Sequence, residues 1–299
     1  MNQRIHAALP LIDVEDVTYR YPARGGIAPT SPALDAVSLR VAQGEYVALL
    51  GHNGSGKSTL ARLLNGLLVP EAGHVRVLGH DTRERARRQF VRERVGMIFS
   101  DPDSQIIATV VADDVAWGLA ARGLPRQVIA GRVDAALAAV GLTDARGRAP
   151  QELSGGQRQR LAIAGVLALE PACIVADEVT AQLDPRARGE ILTLLRELNR
   201  SRGLAVIAVT HLLEEAALAD RVIVLEQGRI VLEQGRIALE GAPAAVFADL
   251  DRLRALRLVV PELARLGERL RRAGLAIPPD ALTPEALVAA LVEVEGRPA

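Results

Sequence analysis

One short segment limits what this chain can become: GHNGSGKS, Gly51 to Ser58. It follows the apolar run Glu45-Tyr-Val-Ala-Leu-Leu50, which reads as a buried strand, and precedes TLARLLNGLL, which reads as an amphipathic helix. A G-x-x-x-x-G-K-[ST] loop between strand and helix is built to hold phosphate. Gly51, Gly54 and Gly56 let backbone N–H groups turn inward towards an anion, and the helix beginning near Lys57 aims its positive dipole end at the same spot. Lys57 is spaced to reach the β- and γ-phosphates, and the Ser58 hydroxyl to ligate Mg²⁺. Asn53 and Ser55 within the loop and Thr59 just after it are further candidate nucleotide-binding positions. A glycine-rich turn could match this pattern by chance, but composition argues otherwise. Of 36 basic residues, 35 are arginine and one, Lys57, is lysine. A slim stem ending in a compact charge is kept at the one place where a planar guanidinium fork would serve poorly.

The rest of the composition mostly excludes. At roughly 150 residues per domain, 299 residues make one large or two modest domains. The formal net charge is zero, and 3 Phe, 3 Tyr and 1 Trp are the only aromatics. A dedicated nucleic-acid binder usually carries a basic excess, so no nucleic-acid partner is expected. The longest stretch without a charged residue is eleven, short of the roughly 18 a membrane-spanning helix needs. Met1 to Leu11 has no apolar core of a signal peptide. The single cysteine, Cys173, cannot form an internal disulfide and reads as a small core residue within its strand.

Further motifs follow in order. LSGGQRQR, Leu153 to Arg160, opens a helix at which Ser154, Gly155 and Gly156 offer a hydroxyl and free N–H groups, a second anion site. ACIVADE, Ala172 to Glu178, is an apolar strand ending in two carboxylates. Asp177 suits the holding of Mg²⁺ and Glu178 the polarisation of an attacking water. The strand LAVIAVT then delivers His211. Together these segments resemble the ATP-binding-cassette (ABC) ATPases over roughly residues 10 to 245. The resemblance makes LSGGQ, including Gln157, the signature motif that contacts ATP. It makes Asp184 part of the D-loop and His211 the histidine facing the γ-phosphate, and so assigns catalysis to Glu178, His211 and Lys57. An aromatic packs on adenine in that family; in VTYRYP the match is Tyr21, with Tyr19 as the nearby alternative.

By that resemblance the fold is α/β, a P-loop ATPase core with an inserted helical subdomain and a small C-terminal helical region. The expected division is 8–248 for the ATPase domain, with the helical subdomain at about 110–169, and 249–299 for a helical dimerisation region. Strands are expected near Ile12–Tyr19, Leu34–Val41 and Val75–Leu78, the second entering the phosphate-loop strand through the turn Gln43-Gly44. Pro22 to Pro32 reads as a surface loop. The basic run Thr82 to Arg94 reads as a solvated helix, His52 as loop filler, and Trp117 as core packing.

In ABC ATPases each ATP lies between the phosphate loop of one subunit and the signature of another. One copy of each motif therefore implies a second ATPase subunit, identical or a sister. GHNGSGKSTLARLLNGLL, VGMIFSDPDSQIIATVVADDVAWGLAARGLP and THLLEEAALADRVIVLEQGRI resemble one branch, the energy-coupling-factor (ECF) transporter ATPases and their cobalt-type relatives. That branch implies a peripheral ATPase on the cytoplasmic face of the cell membrane. Its partners would be a transmembrane scaffold and a substrate-binding membrane protein that captures vitamins or metal ions. Another ABC importer or exporter, or a soluble ABC protein, is the alternative. Two departures stand out. The glutamine that touches Mg²⁺ after VGMIF in the family is Ser100 here, implying a slower half-site paired with a sister subunit. And VLEQGRI occurs twice in tandem, Val224 to Ile230 and Val231 to Ile237. Since the strand period is two, a seven-residue shift would invert the faces, so one copy is expected to loop out as a longer hairpin.

Overall fold

A computed structural model describes residues 9–22, 31–227 and 234–295. The first third runs β1 (Ile12–Tyr19), β2 (Leu34–Val41), β3 (Tyr46–Leu50), α1 (Lys57–Leu64), β4 (Ala72–Val77), β5 (His80–Asp81), α2 (Arg88–Arg94) and β6 (Val95–Ile98). Three helices follow, α3 (Val111–Ala121), α4 (Arg126–Ala139) and α5 (Gly155–Leu167). Alternation then resumes with β7 (Cys173–Asp177), α6 (Pro185–Arg202), β8 (Ala205–Thr210), α7 (Leu213–Ala216), β9 (Arg221–Gln227) and β10 (Gln234–Gly241). The chain continues through α8 (Pro243–Phe247), α9 (Leu250–Ala255), α10 (Glu262–Arg272) and α11 (Pro284–Glu295).

Two sheets result. β1 and β2 bury alternate residues, the pattern of a sheet covered mainly on one face. They form an antiparallel sheet in the order β2-β1-β4-β5. β3, β6, β7 and β8 bury every residue, as strands covered on both faces must. They lie in a six-stranded sheet, order β10-β9-β3-β8-β7-β6, parallel throughout except for the antiparallel β9–β10 pair. This is the expected α/β architecture, and the expected turn at Gln43-Gly44 links β2 to β3. The two strands belong to different sheets.

The strand period sorts the core. Val47, Leu49, Val175, Ile207 and Ile223 point to one face, where they pack with Leu60 and Leu63 of α1 and the inner face of the first sheet. On the other face Ile98, Ile174 and Ala176 pack against α3, α4, α5 and α6. Tyr46, Ala48, Leu50, Val206 and Val222 meet Phe247, Leu250, Leu253 and Leu256. The segment just beyond residue 249 is thus seated on its own ATPase core. A small cluster of Ile277, Ala281, Leu287 and Ala290 joins α10 and α11.

Trp117 corrects the expectation of core packing. It is 60% exposed, because the buried face of α3 is taken by Val111, Val115 and Leu119. Cys173 is fully buried, and burial pushes its thiol pKa up, as a core residue requires. In the duplicated segment, Val224–Gln227 of the first copy lies in β9 and Gln234–Ile237 of the second in β10; residues 228–233 lie outside the described residues, as does most of the Pro22–Pro32 loop. Among the described residues no helix is long and apolar enough to cross a membrane.

Candidate active site

Parallel pairing places the chemistry at one sheet edge. Leu50 pairs with Thr210, and Asp177 with Val209, so β3, β8 and β7 end level with one another. The phosphate loop, His211 and Glu178 therefore leave neighbouring strands side by side, at the carboxyl ends where open α/β sheets hold ligands. A cavity of about 430 Å³ opens there. Asn53, Gly54, Gly56, Lys57, Ser58 and Thr59 line it, with Tyr21, Ala33 and Glu178.

The loop's glycines have separate structural reasons. Gly56 has φ +97°, and a Cβ there would lie 2.6 Å from the Ala33 carbonyl oxygen. Gly51 is not on the cavity; a Cβ there would lie 2.5 Å from Ser55 Oγ and 2.6 Å from the Leu225 carbonyl oxygen. Ser55 is likewise buried beneath the loop, and its N–H donates to the His52 carbonyl at 3.2 Å. These two sequence candidates shape the loop from below. His52 folds its ring onto the neighbouring Asn53 carbonyl at 2.6 Å.

Lys57 is nearly enclosed. Its ammonium donates to the carbonyls of Gly51 (2.8 Å) and His52 (3.0 Å) and stands 3.7 Å from Glu178 Oε1. Burial lowers its pKa, and the carboxylates of Glu178 and Asp177 partly offset that. The same Glu178 oxygen lies 3.6 Å from His211 Nδ1. Glu178 takes φ +51°, a left-handed conformation that non-glycine residues seldom adopt, while its N–H extends the β7–β8 ladder to the Val209 carbonyl. Strained backbone of this kind concentrates at functional sites.

Beside this trio, Ser58 Oγ donates to Asp177 Oδ1 at 3.0 Å. Burial raises the Asp177 pKa, and the Ser58 hydrogen bond opposes the rise. A hydroxyl and a partly desolvated carboxylate are hard oxygen donors suited to Mg²⁺, which keeps much of its own water and takes few protein ligands. Among the described residues no group of three or more His, Cys, Asp or Glu side chains is arranged to hold a metal ion by itself. Of the two aromatic candidates, Tyr21 reaches the cavity, with its hydroxyl 3.0 Å from Thr59 Oγ1. Tyr19 is buried and meets the Tyr21 ring edge-on at 5.1 Å.

Other candidates lie apart. Ser154, Gly155, Gly156 and Gln157 do not line the cavity. They form the start of α5, Ser154 and Gly155 exposed and Gly156 and Gln157 half-buried, where Ser154 Oγ accepts from Gln157 N–H and Gln157 Oε1 accepts from Ser154 N–H. Ser100 is half-buried just beyond β6 and does not line the cavity either. Asp184 caps α6, accepting from the N–H groups of Arg186 and Ala187. Sequence reading missed Ala33, which closes the cavity wall, and the buried threonines Thr180 and Thr210 behind the site.

Comparison with known proteins agrees with this geometry. A family profile described as ABC transporter matches residues 34–181. The "Energy-coupling factor transporter ATP-binding protein EcfA1" of Symbiobacterium thermophilum is 50% identical over 97% of this chain and 99% of its own length. The protein of the same name from Bacillus subtilis is 43% identical over 96% and 98%. Among solved structures, cbiO1 from Clostridium perfringens, described as part of the ABC transporter complex cbiONQ, aligns with a TM-score of 0.72 at 34% identity, covering 87% of this chain and 99% of that one. A dimeric ATP-binding cassette, MJ0796, bound to ADP and Pi, aligns with a TM-score of 0.66 at 28% identity over 78% and 98%. With relatives this similar along nearly its whole length, the chain belongs to the ABC transporter ATPases, in their energy-coupling-factor branch.

Proposed function

We propose that this ATPase works at the cytoplasmic face of the cell membrane, coupling ATP hydrolysis to uptake of a vitamin or metal ion through a separate scaffold protein and a substrate-binding membrane protein. One observation carries the reading: the Lys57 ammonium and His211 Nδ1 stand 3.7 and 3.6 Å from one Glu178 oxygen, on segments that leave the ends of three adjacent strands. In use, the Lys57 ammonium turns to the β- and γ-phosphates, Glu178 polarises the attacking water, and His211 contacts the γ-phosphate. Ser58 and Asp177 would hold Mg²⁺, which neutralises phosphate charge when bound, and Tyr21 would stack on adenine.

The signature face supports a partner requirement. Since Ser154–Gln157 stands away from the cavity of its own chain, a second ATPase subunit would supply those groups to the γ-phosphate, closing out water and strengthening each charge contact. The region 249–299 would help pair the subunits. Ser100 keeps an oxygen but loses the reach of glutamine, so we assign this half-site a slower turnover and a sister subunit as its partner.

The test uses the full chain co-purified with its membrane complex. Lys57→Ala should lose Mg-ATP retention, whereas Glu178→Gln should retain Mg-ATP and lose hydrolysis by about 10²–10⁴-fold. Ser100→Gln should raise steady-state ATPase. Wild-type hydrolysis by Glu178→Gln would remove the central assignment, and an unchanged rate with Ser100→Gln would remove the slow half-site. Mass spectrometry of the co-purified subunits and bound solute names the partners and cargo.

A further inference from the structure

Behind the site lies an acid that the mechanism above does not use. Glu215, on the short helix α7, is only 5% exposed. Its two carboxylate oxygens are divided between two buried hydroxyls: Thr180 Oγ1 donates to Oε1 at 2.5 Å and Thr210 Oγ1 donates to Oε2 at 2.6 Å. Thr180 is two residues past Glu178, and Thr210 immediately precedes His211. Thr210 Oγ1 also accepts from Leu212 N–H at 3.1 Å, which pins the backbone on the far side of His211. The nearest guanidinium is that of Arg188 on α6, whose Nε lies 3.9 Å from Glu215 Oε1 and has no hydrogen-bond partner.

Stability alone is a poor reason for this arrangement. A buried carboxylate with a single distant cation loses more in desolvation than it regains by attraction. What the arrangement does supply is geometry. Charge-assisted hydrogen bonds of this length are strong and directional, and here both converge on one rigid carboxylate from two strand ends. Each strand end carries a residue that acts on the γ-phosphate or the attacking water. α6 begins at the Asp184 cap, and its Ala187 is packed close to the signature helix, so that a Cβ at Gly156 would lie 3.1 Å from Ala187 Cβ.

We propose that Glu215 is a positioning residue for hydrolysis: by tying Thr180 to Thr210 it holds Glu178 and His211 in register, and through Arg188 it refers that register to the helix beside the signature. This rests on the roles given above to Glu178 and His211. Neither an amide nor a shorter acid can replace it. Glutamine presents one acceptor oxygen, so one threonine proton loses its acceptor and Arg188 loses its counter-charge. Aspartate is one methylene too short to span both hydroxyls.

The experiment measures kcat and KM for ATP, the affinity for a fluorescent ATP analogue, and melting temperature in the full-length protein co-purified with its membrane complex. Rates are normalised to nucleotide-binding sites, so unfolded material does not count. Thr180→Val and Thr210→Val keep shape while removing the hydroxyl; each should lower kcat about tenfold or more, with KM and analogue affinity within about twofold of wild type. Thr210→Ser should restore most of the rate, and Glu215→Gln should behave like the valine variants. Wild-type kcat per site in the valine variants overturns the proposal, whatever their melting temperatures. So does a loss of kcat matched by an equal loss of nucleotide affinity. Glu178→Gln is run alongside. If it still hydrolyses ATP, the site assignment has failed; if it is inactive while the threonine and Glu215 variants are unaffected, only this inference has.

Discussion

Lys57 and Asp177 are held on opposite sides of their ordinary ionisation, each by burial. The lysine pKa is lowered from the usual value near 10.4, and the aspartate pKa raised from about 3.9. An anionic triphosphate favours the ammonium form, so across the window between the lowered pKa and that of the complex, binding takes up a proton. Affinity for ATP therefore falls as pH rises through the lowered lysine pKa. Mg²⁺ favours the carboxylate, so the Mg-dependent part of binding falls as pH drops through the raised aspartate pKa. Titration calorimetry across pH, in two buffers of different ionisation enthalpy, should show net proton uptake on the alkaline limb. An alkaline limb without proton uptake would remove Lys57 from the pH dependence. The lysine, Glu178 and His211 were legible in the sequence because each role requires one residue type at one spacing from a strand end. The Thr180–Glu215–Thr210 tie was not. Its partners are 35 and 5 residues apart, and only the pairing of β7 with β8 brings them onto one carboxylate.

Among elements, the β9–β10 hairpin gives the sharpest expectation, because the repeat makes one deletion unambiguous. Removing any seven consecutive residues from the tandem VLEQGRI yields the same chain, so residues 231–237 and 228–234 are equivalent choices. In the present register Leu225 faces Ile237 and Glu226 faces Arg236. Both pairs survive the deletion, leaving Gln227 and Gly235 as a two-residue turn. Glycine suits the second position of such a turn, although glutamine is a weaker first residue than asparagine. Loop-closure entropy changes little over this length. The deletion should leave ATPase and uptake intact and move the melting temperature by no more than about 2 °C; loss of either activity would assign the duplication a role. Local reading reached its limit elsewhere. The run VADDVAWGLAAR marked α3 as helical, but it could not say which face the neighbouring helices cover, and that exposed Trp117. Likewise a tight turn after β2 carried no information that β3 enters a different sheet.

Across the whole molecule two apolar surfaces stand out, and among the described residues one of them is covered by the rest of the fold and the other is not. Leu250, Leu253 and Leu256 are buried against the ATPase sheet. On α11, Leu287 and Ala290 close the small second core, while Val288 and Val292 are 59% and 62% exposed. Four residues apart, those two valines share one helix face, and Leu266 of α10 is exposed as well. Isolated surface valines are ordinary; two in register on a helix already packed through its other face leave an apolar strip suited to a matching helix. A second ATPase subunit would cover it if the region 249–299 pairs subunits as we propose. Val288→Asp with Val292→Asp puts two carboxylates on that strip, at positions where exposure keeps the effect on folding within about 0.5 kcal/mol each. With the co-purified second ATPase subunit, in a Glu178→Gln background with Mg-ATP, sedimentation should show the closed pair weakened, while the affinity of this chain for the fluorescent ATP analogue stays the same. A dimer of undiminished strength would mean that α11 faces solvent in the assembly and that pairing rests on the phosphate-loop and signature faces alone.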